Sequence, residues 1–541
     1  MRRCTVLSLC LFAGWQSATG QVLSVSSLGA AAGDGLGADQ TCIQDRDGDG
    51  LDDLAVGAPG ASPGGVNGAG ELVVVSSQDG SRWTTVPGTR AGGRFGQSVV
   101  QVADLSGDGI PELVVGEPGE SGAVPGGRLL VLDGATLQVT TQLVAPIAGS
   151  RLGERLVLLD DQTGDGRPEV AASAPGFTSG ANSRVGAVLI INPIGLVTLR
   201  GVLGVAAFDA LGTGLGSIAD MSGDGRRELV VGSPGFDPPG LIGAGLVEII
   251  NPTDGSRLKS FPGWLTGDSM GFSCDGLSDL NLDQIPDVIA GAPAADPGGL
   301  SLAGEARVLS GQDGQVLAIH PGLAAIDSFG TVVARVGDLD GDGLDEYAAG
   351  SPTARVGGLS SAGRVIVYSG ASQSLLYEFV GTAQNEGLGS SIRPLFDQNG
   401  DQRNDLAIGS PGADGPSSNN CGRVDLRLGQ VASLTVDTTG QYGTPFTIRI
   451  QGTPSQQVLL LLDVAPGSIQ TQYGEILLAM SPVFQVVGIG STTPSGWLVL
   501  TATLPPSGPP NQPLFLQCVV ANPFPPPTYW AGGGDDLILT P

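Results

Sequence analysis

Basic side chains are scarce in this sequence. Its 541 residues hold 25 Lys and Arg against 53 Asp and Glu, for a net charge of −28, and Lys259 and His320 are the only lysine and the only histidine. This balance argues against a nucleic-acid partner, because a phosphate backbone is held by clustered cations. An aromatic content of 5% also leaves little surface for stacking bases. A zinc centre needs several His or Cys ligands together, and none cluster. Imidazole chemistry has a single candidate. His320 maps to the outer strand of its repeat, where a surface histidine is expected. After residue 20 no apolar run reaches the roughly 20 residues that a membrane-spanning helix needs. Six cysteines are present, two of them, Cys4 and Cys10, inside the first 20 residues.

What the chain has is a nine-residue acidic pattern repeated seven times. The copies begin at Asp45, Asp104, Asp161, Asp220, Asp279, Asp338 and Asp397, at intervals of 59, 57, 59, 59, 59 and 59 residues. Self-similarity at this period marks stacked supersecondary units. Positions 1, 3, 5, 7 and 9 of the first copy are Asp45, Asp47, Asp49, Leu51 and Asp53. In the second they are Asp104, Ser106, Asp108, Ile110 and Glu112, and in the third Asp161, Thr163, Asp165, Arg167 and Glu169. The fourth has Asp220, Ser222, Asp224, Arg226 and Glu228; the fifth has Asp279, Asn281, Asp283, Ile285 and Asp287. The sixth has Asp338, Asp340, Asp342, Leu344 and Glu346, and the seventh Asp397, Asn399, Asp401, Arg403 and Asp405.

This is the ligand order of the first nine positions of a calcium loop. Side-chain oxygens come from positions 1, 3, 5 and 9 and a backbone carbonyl from position 7, which leaves the side chain at 7 free to vary. So many carboxylates in one turn are unfavourable without a counter-cation, and Ca2+ is the expected cofactor. The alternative is a solvated Asx-turn that binds nothing; seven copies in register weigh against it. Copies one and six, with four carboxylates each, are expected to bind most tightly. Copies two, three and four, with Ser or Thr at position 3, should be weaker. Copies five and seven carry Gln284 and Gln402 in place of the position-6 glycine, and copy five has Leu282 where the others have Gly. These two are the first expected to be left empty.

Short Val- and Leu-rich runs bounded by Gly and Pro flank the loops and read as strands. Around the second copy they are Arg94 to Val102, Pro111 to Gly116, Gly127 to Leu132 and, less regularly, a run near Leu137 to Val144. Each repeat is read as four short antiparallel strands, with the acidic loop joining the first to the second.

With Phe95-Gly96 and Phe329-Gly330 ahead of the loops, and Gly57-Ala58-Pro59 and Gly291-Ala292-Pro293 behind them, the chain resembles the FG-GAP repeats of integrin α-subunit β-propellers over roughly residues 22–430. The resemblance implies an all-β fold, a seven-bladed β-propeller with calcium in loops on one face and ligands met on the opposite face. Long connections such as Gly60 to Gly68 and Phe236 to Gly243 lie on that opposite face; the alternative is that they are plain solvent-exposed links. The seventh repeat lacks a fourth strand. Val22 to Leu28 aligns with the fourth-strand segment Ser374 to Val380 and is expected to complete blade seven, removing an open sheet edge.

Residues 1–20, with Arg2 and Arg3 before an apolar run and Ala18-Thr19-Gly20 at its end, read as a signal peptide, so the mature chain is expected outside the cell. Of Cys42, Cys274, Cys421 and Cys518, the pair Cys42 and Cys421 would sit at opposite ends of a blade. About five residues at ~3.3 Å each separate those ends by ~15 Å, beyond disulfide reach, and unpaired thiols are expected. From about residue 431 the acidic pattern stops. Runs near 446–450, 458–462, 484–489, 497–504 and 514–520 suggest a small β-sandwich over 431–541, an accessory or attachment module.

The leading functional expectation is a secreted calcium-binding module for extracellular adhesion or ligand binding, with a protein or glycan partner. A structural coat or matrix component is the alternative, and a polysaccharide-active enzyme with a carboxylate acid–base pair is a third, though no carboxylate outside the loops breaks the repeat.

Overall fold

A computed structural model of the chain describes residues 22–428 apart from 120–125, 341, 399–402 and 417. Beyond them it describes only strand segments between 434 and 538. The signal-peptide reading of residues 1–20 lies outside the described residues. One compact unit covers Leu23–Gly429, and the later residues belong to another.

In the first unit, β1 is Val22–Leu28. The first blade is β2 (Gln40–Ile43), β3 (Asp53–Ala58), β4 (Glu71–Val75) and β5 (Arg82–Pro87). The second is β6 (Ser98–Gln101), β7 (Leu113–Glu117), β8 (Arg128–Leu132) and β9 (Val139–Val144). The third is β10 (Leu156–Leu158), β11 (Val170–Ala174), β12 (Ala187–Asn192) and β13 (Val197–Leu203), and the fourth is β14 (Gly214–Ile218), β15 (Glu228–Gly232), β16 (Leu246–Ile250) and β17 (Arg257–Pro262). The fifth is β18 (Ser273–Gly276), β19 (Val288–Ala292), β20 (Glu305–Leu309) and β21 (Val316–Pro321), and the sixth is β22 (Val332–Gly337), β23 (Glu346–Ser351), β24 (Arg364–Tyr368) and β25 (Leu375–Val380). The seventh contains β26 (Ser391–Leu395), β27 (Asp405–Ser410) and β28 (Arg423–Leu428), with β1 as its outer strand. Blades one to six are four-stranded antiparallel meanders, the seventh is an antiparallel β26–β27–β28 with β1 paired to β28, and the fold is a seven-bladed β-propeller. Helix among the described residues is limited to three 3-10 turns, at Pro63–Gly65, Ile194–Leu196 and Pro297–Gly299.

The burial pattern explains the apolar runs. The second strands are buried at every position, as in β3, β7 and β11, because each blade face packs on a neighbour. Outer strands alternate: in β5 Arg82, Thr84 and Val86 are half-buried and Trp83, Thr85 and Pro87 exposed. Core clusters lie between successive blades. One joins Val114 and Val131 of blade two to Ala172 and Ile191 of blade three, and another joins Val56 and Val73 of blade one to Ala407 and Leu426 of blade seven, closing the ring.

The repeat motifs lock blade to blade. Phe95 is buried and pairs in a parallel bridge with Gly70 of the preceding blade, as Leu152 does with Gly127 and Phe329 with Gly304. A Cβ on Gly57 would lie 1.8 Å from the Gly96 carbonyl oxygen, so the glycine of one blade's Gly-Ala-Pro is required by the Phe-Gly of the next.

His320 departs from the sequence expectation of a surface residue: it is buried in β21 at 7% exposure. Its side chain takes the inward place that Phe261 fills in β17 and Phe379 in β25. Cys42, Cys274 and Cys421 are unpaired.

In the C-terminal region, Leu434–Asp437, Pro445–Gln451 and Trp497–Thr503 form one antiparallel sheet. Gln485–Ser491, Gln457–Asp463, Pro513–Ala521 and Tyr529–Ala531 form another, with Asp535–Ile538 also pairing with Pro513–Ala521.

Candidate metal centres

The acidic loops join first to second strands, all at one end of the blades. Among the described residues the recurring bond of these cages runs from the position-6 N–H to the position-1 Asp, in loops one to six. In the first, Gly48 N–H donates to Asp45 Oδ1 (2.7 Å) and Gly50 N–H to Asp45 Oδ2 (2.8 Å). Asp49 N–H donates to Asp47 Oδ1 (3.1 Å) and Leu51 N–H to Asp49 Oδ1 (2.8 Å). Arg46 N–H donates to Asp53 Oδ2 (2.8 Å). Of the three oxygens left, Asp49 Oδ2 and Asp53 Oδ1 are buried and make no hydrogen bond of normal geometry.

The cage needs left-handed backbone at positions 4 and 6. Gly48 and Gly50 have φ of 85° and 92°, and nothing lies within 4 Å of where their Cβ atoms would be; these glycines serve conformation, not space. Loop five adopts the same turn without glycine, at Leu282 (φ 62°) and Gln284 (φ 70°).

Position 9 is the buried anchor. Asp53, Glu112, Glu169, Glu228, Asp287, Glu346 and Asp405 are all almost fully inaccessible, although the first three ligand positions of loops one to six stand in or near solvent. The structure draws together Asp45, Asp47 and Asp53; Asp161, Asp165 and Glu169; Asp220, Asp224 and Glu228; and Asp338, Asp340 and Glu346, with one carboxylate oxygen from each member within 4.8 Å of the others. In loop two, Glu112 spends both oxygens on the N–H groups of Leu105 and Ser106. In loop five, Asn281 Nδ2 donates to Asp283 Oδ2 (3.0 Å) and Gly311 N–H to Asp287 Oδ1 (3.2 Å), so protein donors reach oxygens that are bare in loop one. In loop seven, Gln398 N–H donates to Asp405 Oδ2 (2.8 Å); Asn399 and Asp401 lie outside the described residues. The position-7 residues Ile110, Arg167, Arg226, Ile285 and Leu344 each give their N–H to the position-5 Asp, as Leu51 does.

Electrostatics divide the cage. The Gly48 and Gly50 N–H groups hold Asp45 below the usual carboxylate range, as Gly109 and Gly107 do for Asp104. Position 9 shifts the other way. Burial, then the charges of Asp47 and Asp49, push Asp53 up to about 6; burial likewise takes Asp287 to about 6. Burial, reinforced by Asp340 and Asp342, pushes Glu346 to about 8. A carboxylate so placed is ionised comfortably only beside a cation. The donor set is hard oxygen throughout, and the bare oxygens of Asp49 and Asp53 fit a hard divalent ion.

Neighbouring amides were not apparent from the nonapeptide. Asn192 Nδ2 donates to Asp165 Oδ2 (2.8 Å) and Glu169 Oε1 (3.2 Å), and Asn251 Nδ2 to Asp224 Oδ2 (3.1 Å). Both stand 31 residues after the first Asp of their loop, where Ser76, Ser310 and Ser369 stand in other repeats; a polar residue at that fixed offset was the available signal.

The family model for the FG-GAP repeat matches residues 45–75 and 95–132. Mouse integrin alpha-8 is 31% identical over 211 residues, 36% of this chain and 19% of that protein. Xenopus laevis integrin alpha-5 is 30% identical over 213 residues, 37% of this chain and 20% of that one. Bovine phosphatidylinositol-glycan-specific phospholipase D is 32% identical over 170 residues, 29% of this chain and 20% of the enzyme. The chain thus spans about a fifth of the length of these relatives. Among solved structures, the V. cholerae biofilm matrix protein Bap1 aligns at 17% identity and a TM-score of 0.34, over 96% of this chain and 70% of Bap1. No helix among the described residues is long and apolar enough to cross a membrane.

Proposed function

With FG-GAP repeats on a seven-bladed propeller as the premise, we propose that the chain is an exported, calcium-binding module that serves extracellular adhesion or ligand capture and is not an enzyme. In the loops that fill, the side chains at positions 1, 3, 5 and 9 and the carbonyl at position 7 hold Ca2+, loops five and seven being the first left empty. Residues 1–20 direct export, 21–430 form the working module, and 431–541 are an accessory β-sandwich. The partner is an extracellular protein or glycan.

The observation that carries this reading is in loop one. Two buried carboxylate oxygens, Asp49 Oδ2 and Asp53 Oδ1, make no hydrogen bond of normal geometry, yet stand beside oxygens of Asp45, Asp47, Asp49 and Asp53 that are met by backbone N–H groups. Burying an unmet anionic oxygen is costly, and a cation removes the cost. Calcium suits the site better than magnesium, which demands near-octahedral geometry and keeps its waters.

Calorimetric titration of the chelated chain with CaCl2, alongside its Tm, tests the proposal. Saturable heats from several ions per chain and a rising Tm are expected. A chain that takes up no calcium, with an unmoved Tm, would sink it.

A further inference from the structure

At the end of the blades opposite the acidic loops, a cavity of about 350 Å3 opens between blades three, four and five. Arg151 and Arg155 reach it from the segment leading into β10, and Arg184 from the connection between β11 and β12. Phe208 and Phe272 contribute rings from the entries to blades four and five. Glu154 is paired with Arg151 at 2.5 Å. Among the described residues neither Arg155 nor Arg184 has an ion-pair partner. Two free guanidiniums in one cavity are unusual for a chain of net charge −28.

The repeat itself shows which of these residues the fold does not ask for. At the start of the inner strand, blades one to seven have Asp39, Ser98, Arg155, Gly214, Ser273, Val332 and Ser391; only blade three has a cation. Three residues ahead of the buried Phe-Gly-type glycyl motif of each blade the backbone is left-handed. Gly33, Gly92, Gly149 and Gly267 meet that need at φ between 65° and 88° and Asn385 at 59°, whereas blade six places Ile326 there at φ 70° and blade four places Phe208 there at φ 71°, 61% exposed; of the two large side chains only Phe208 lines the cavity. An aromatic residue in that conformation is disfavoured, and an exposed ring adds nothing to the core.

We propose that this cavity binds a carboxylated sugar of an acidic glycan, its carboxylate on the Arg155 and Arg184 guanidiniums and its ring face on Phe208. Guanidinium forks match carboxylates bidentately, and a cavity of this size falls in the range of small-ligand sites. An acidic peptide would satisfy the arginines but leave the exposed ring unused. The inference rests on the ligand-capture reading above and names the ligand class.

The test uses the full chain with calcium present. Hyaluronan oligosaccharide, a neutral chito-oligosaccharide of equal length and poly-glutamate are each titrated calorimetrically. Expected are binding of the first alone, weakening with added salt, a loss of about tenfold with Arg155→Gln or Arg184→Gln, and a several-fold loss with Phe208→Gly while Tm holds or rises. Failure of the uronate to bind, indifference to all three substitutions, or equal or tighter binding of poly-glutamate would each overturn the assignment. If calcium raises Tm but the uronate does not bind, this site assignment falls and the calcium module stands; if calcium itself is not taken up, the earlier reading falls first.

Discussion

His320 Nε2 lies 2.9 Å from the Tyr347 hydroxyl oxygen, deep between blades five and six. The imidazole is also stacked on Tyr368, with ring centroids 3.6 Å apart. Burial pushes the His320 pKa down to about 4 and the two tyrosines up. An unfolded histidine titrates near 6.5. The folded state is therefore the worse proton acceptor, and its stability from this group is full above about 6.5 and is lost as pH falls toward 4. The difference is about 3 kcal/mol. Denaturant unfolding of the wild type and of His320→Phe at pH 7.5 and 4.5 measures it. The wild type should lose about 3 kcal/mol more than the variant on acidification; parallel losses would remove His320 as the cause.

Calcium dependence should differ among loops. At a free concentration 100 times Kd, one site adds about 2.7 kcal/mol. Asp49→Ala removes a bare oxygen from loop one and should abolish one site in a calorimetric titration, whereas Asp283→Ala in loop five, whose free oxygen already accepts from Asn281, should leave the stoichiometry nearly unchanged. Equal loss of one ion in both variants would show that the protein donors in loop five do not compete with the metal.

Loop five can be relieved as well as probed. Leu282 is 78% exposed and left-handed, in a place where other copies have glycine. Leu282→Gly should stabilise the chain by a few tenths to about 1 kcal/mol, the relief of left-handed strain partly offset by the entropy of the unfolded glycine. Chemical denaturation checks the sign; destabilisation would mean the leucine is held by contacts worth more than the strain.

Most of the architecture was legible because the acidic nonapeptide repeats at a spacing that one four-stranded blade consumes, so loop positions also dated the strands. The roles of Asp45 and Asp53 were less legible. Both are ligand positions by spacing, but only the folded loop shows that Asp45 gives its oxygens to Gly48 and Gly50 while Asp53 is fully buried and keeps one bare. His320 was misplaced for a related reason. Outer strands are half-exposed, so assigning it to an outer strand left its side undetermined. Comparing β21 with β17 and β25 would have decided it, since Phe261 and Phe379 occupy the same inward place.

Buried charge supports blade two. Arg128 Nε and Nη2 both donate to Glu117 Oε2, at 2.9 and 2.6 Å, and Glu117 is wholly inaccessible. Removing one partner strands the other, at about 3–5 kcal/mol. Glu117→Ala should therefore cost that much, while the double variant Glu117→Leu with Arg128→Met should recover most of it. A double variant as unstable as the single one would mean that the pair is needed for more than mutual neutralisation.

The ring is closed by the beginning of the chain. The β1 strand pairs with β28, Gly29 N–H donates to the Gly422 carbonyl (2.9 Å), and Ser26 Oγ donates to Asp425 Oδ1 (2.6 Å). Val25 joins the cluster that also holds Leu54 and Val73 of blade one with Val424 and Leu426 of blade seven. A strand contributed from the far end of the sequence ties the last blade to the first, so its loss opens a sheet edge and uncovers apolar surface in the same place. Deleting residues 21–30 should lower Tm sharply. Supplying a peptide of residues 21–30 in trans should restore part of the loss, because the vacated edge is a strand-addition site. A truncated chain that melts where the intact one does would show that blades one and seven hold together without the strand.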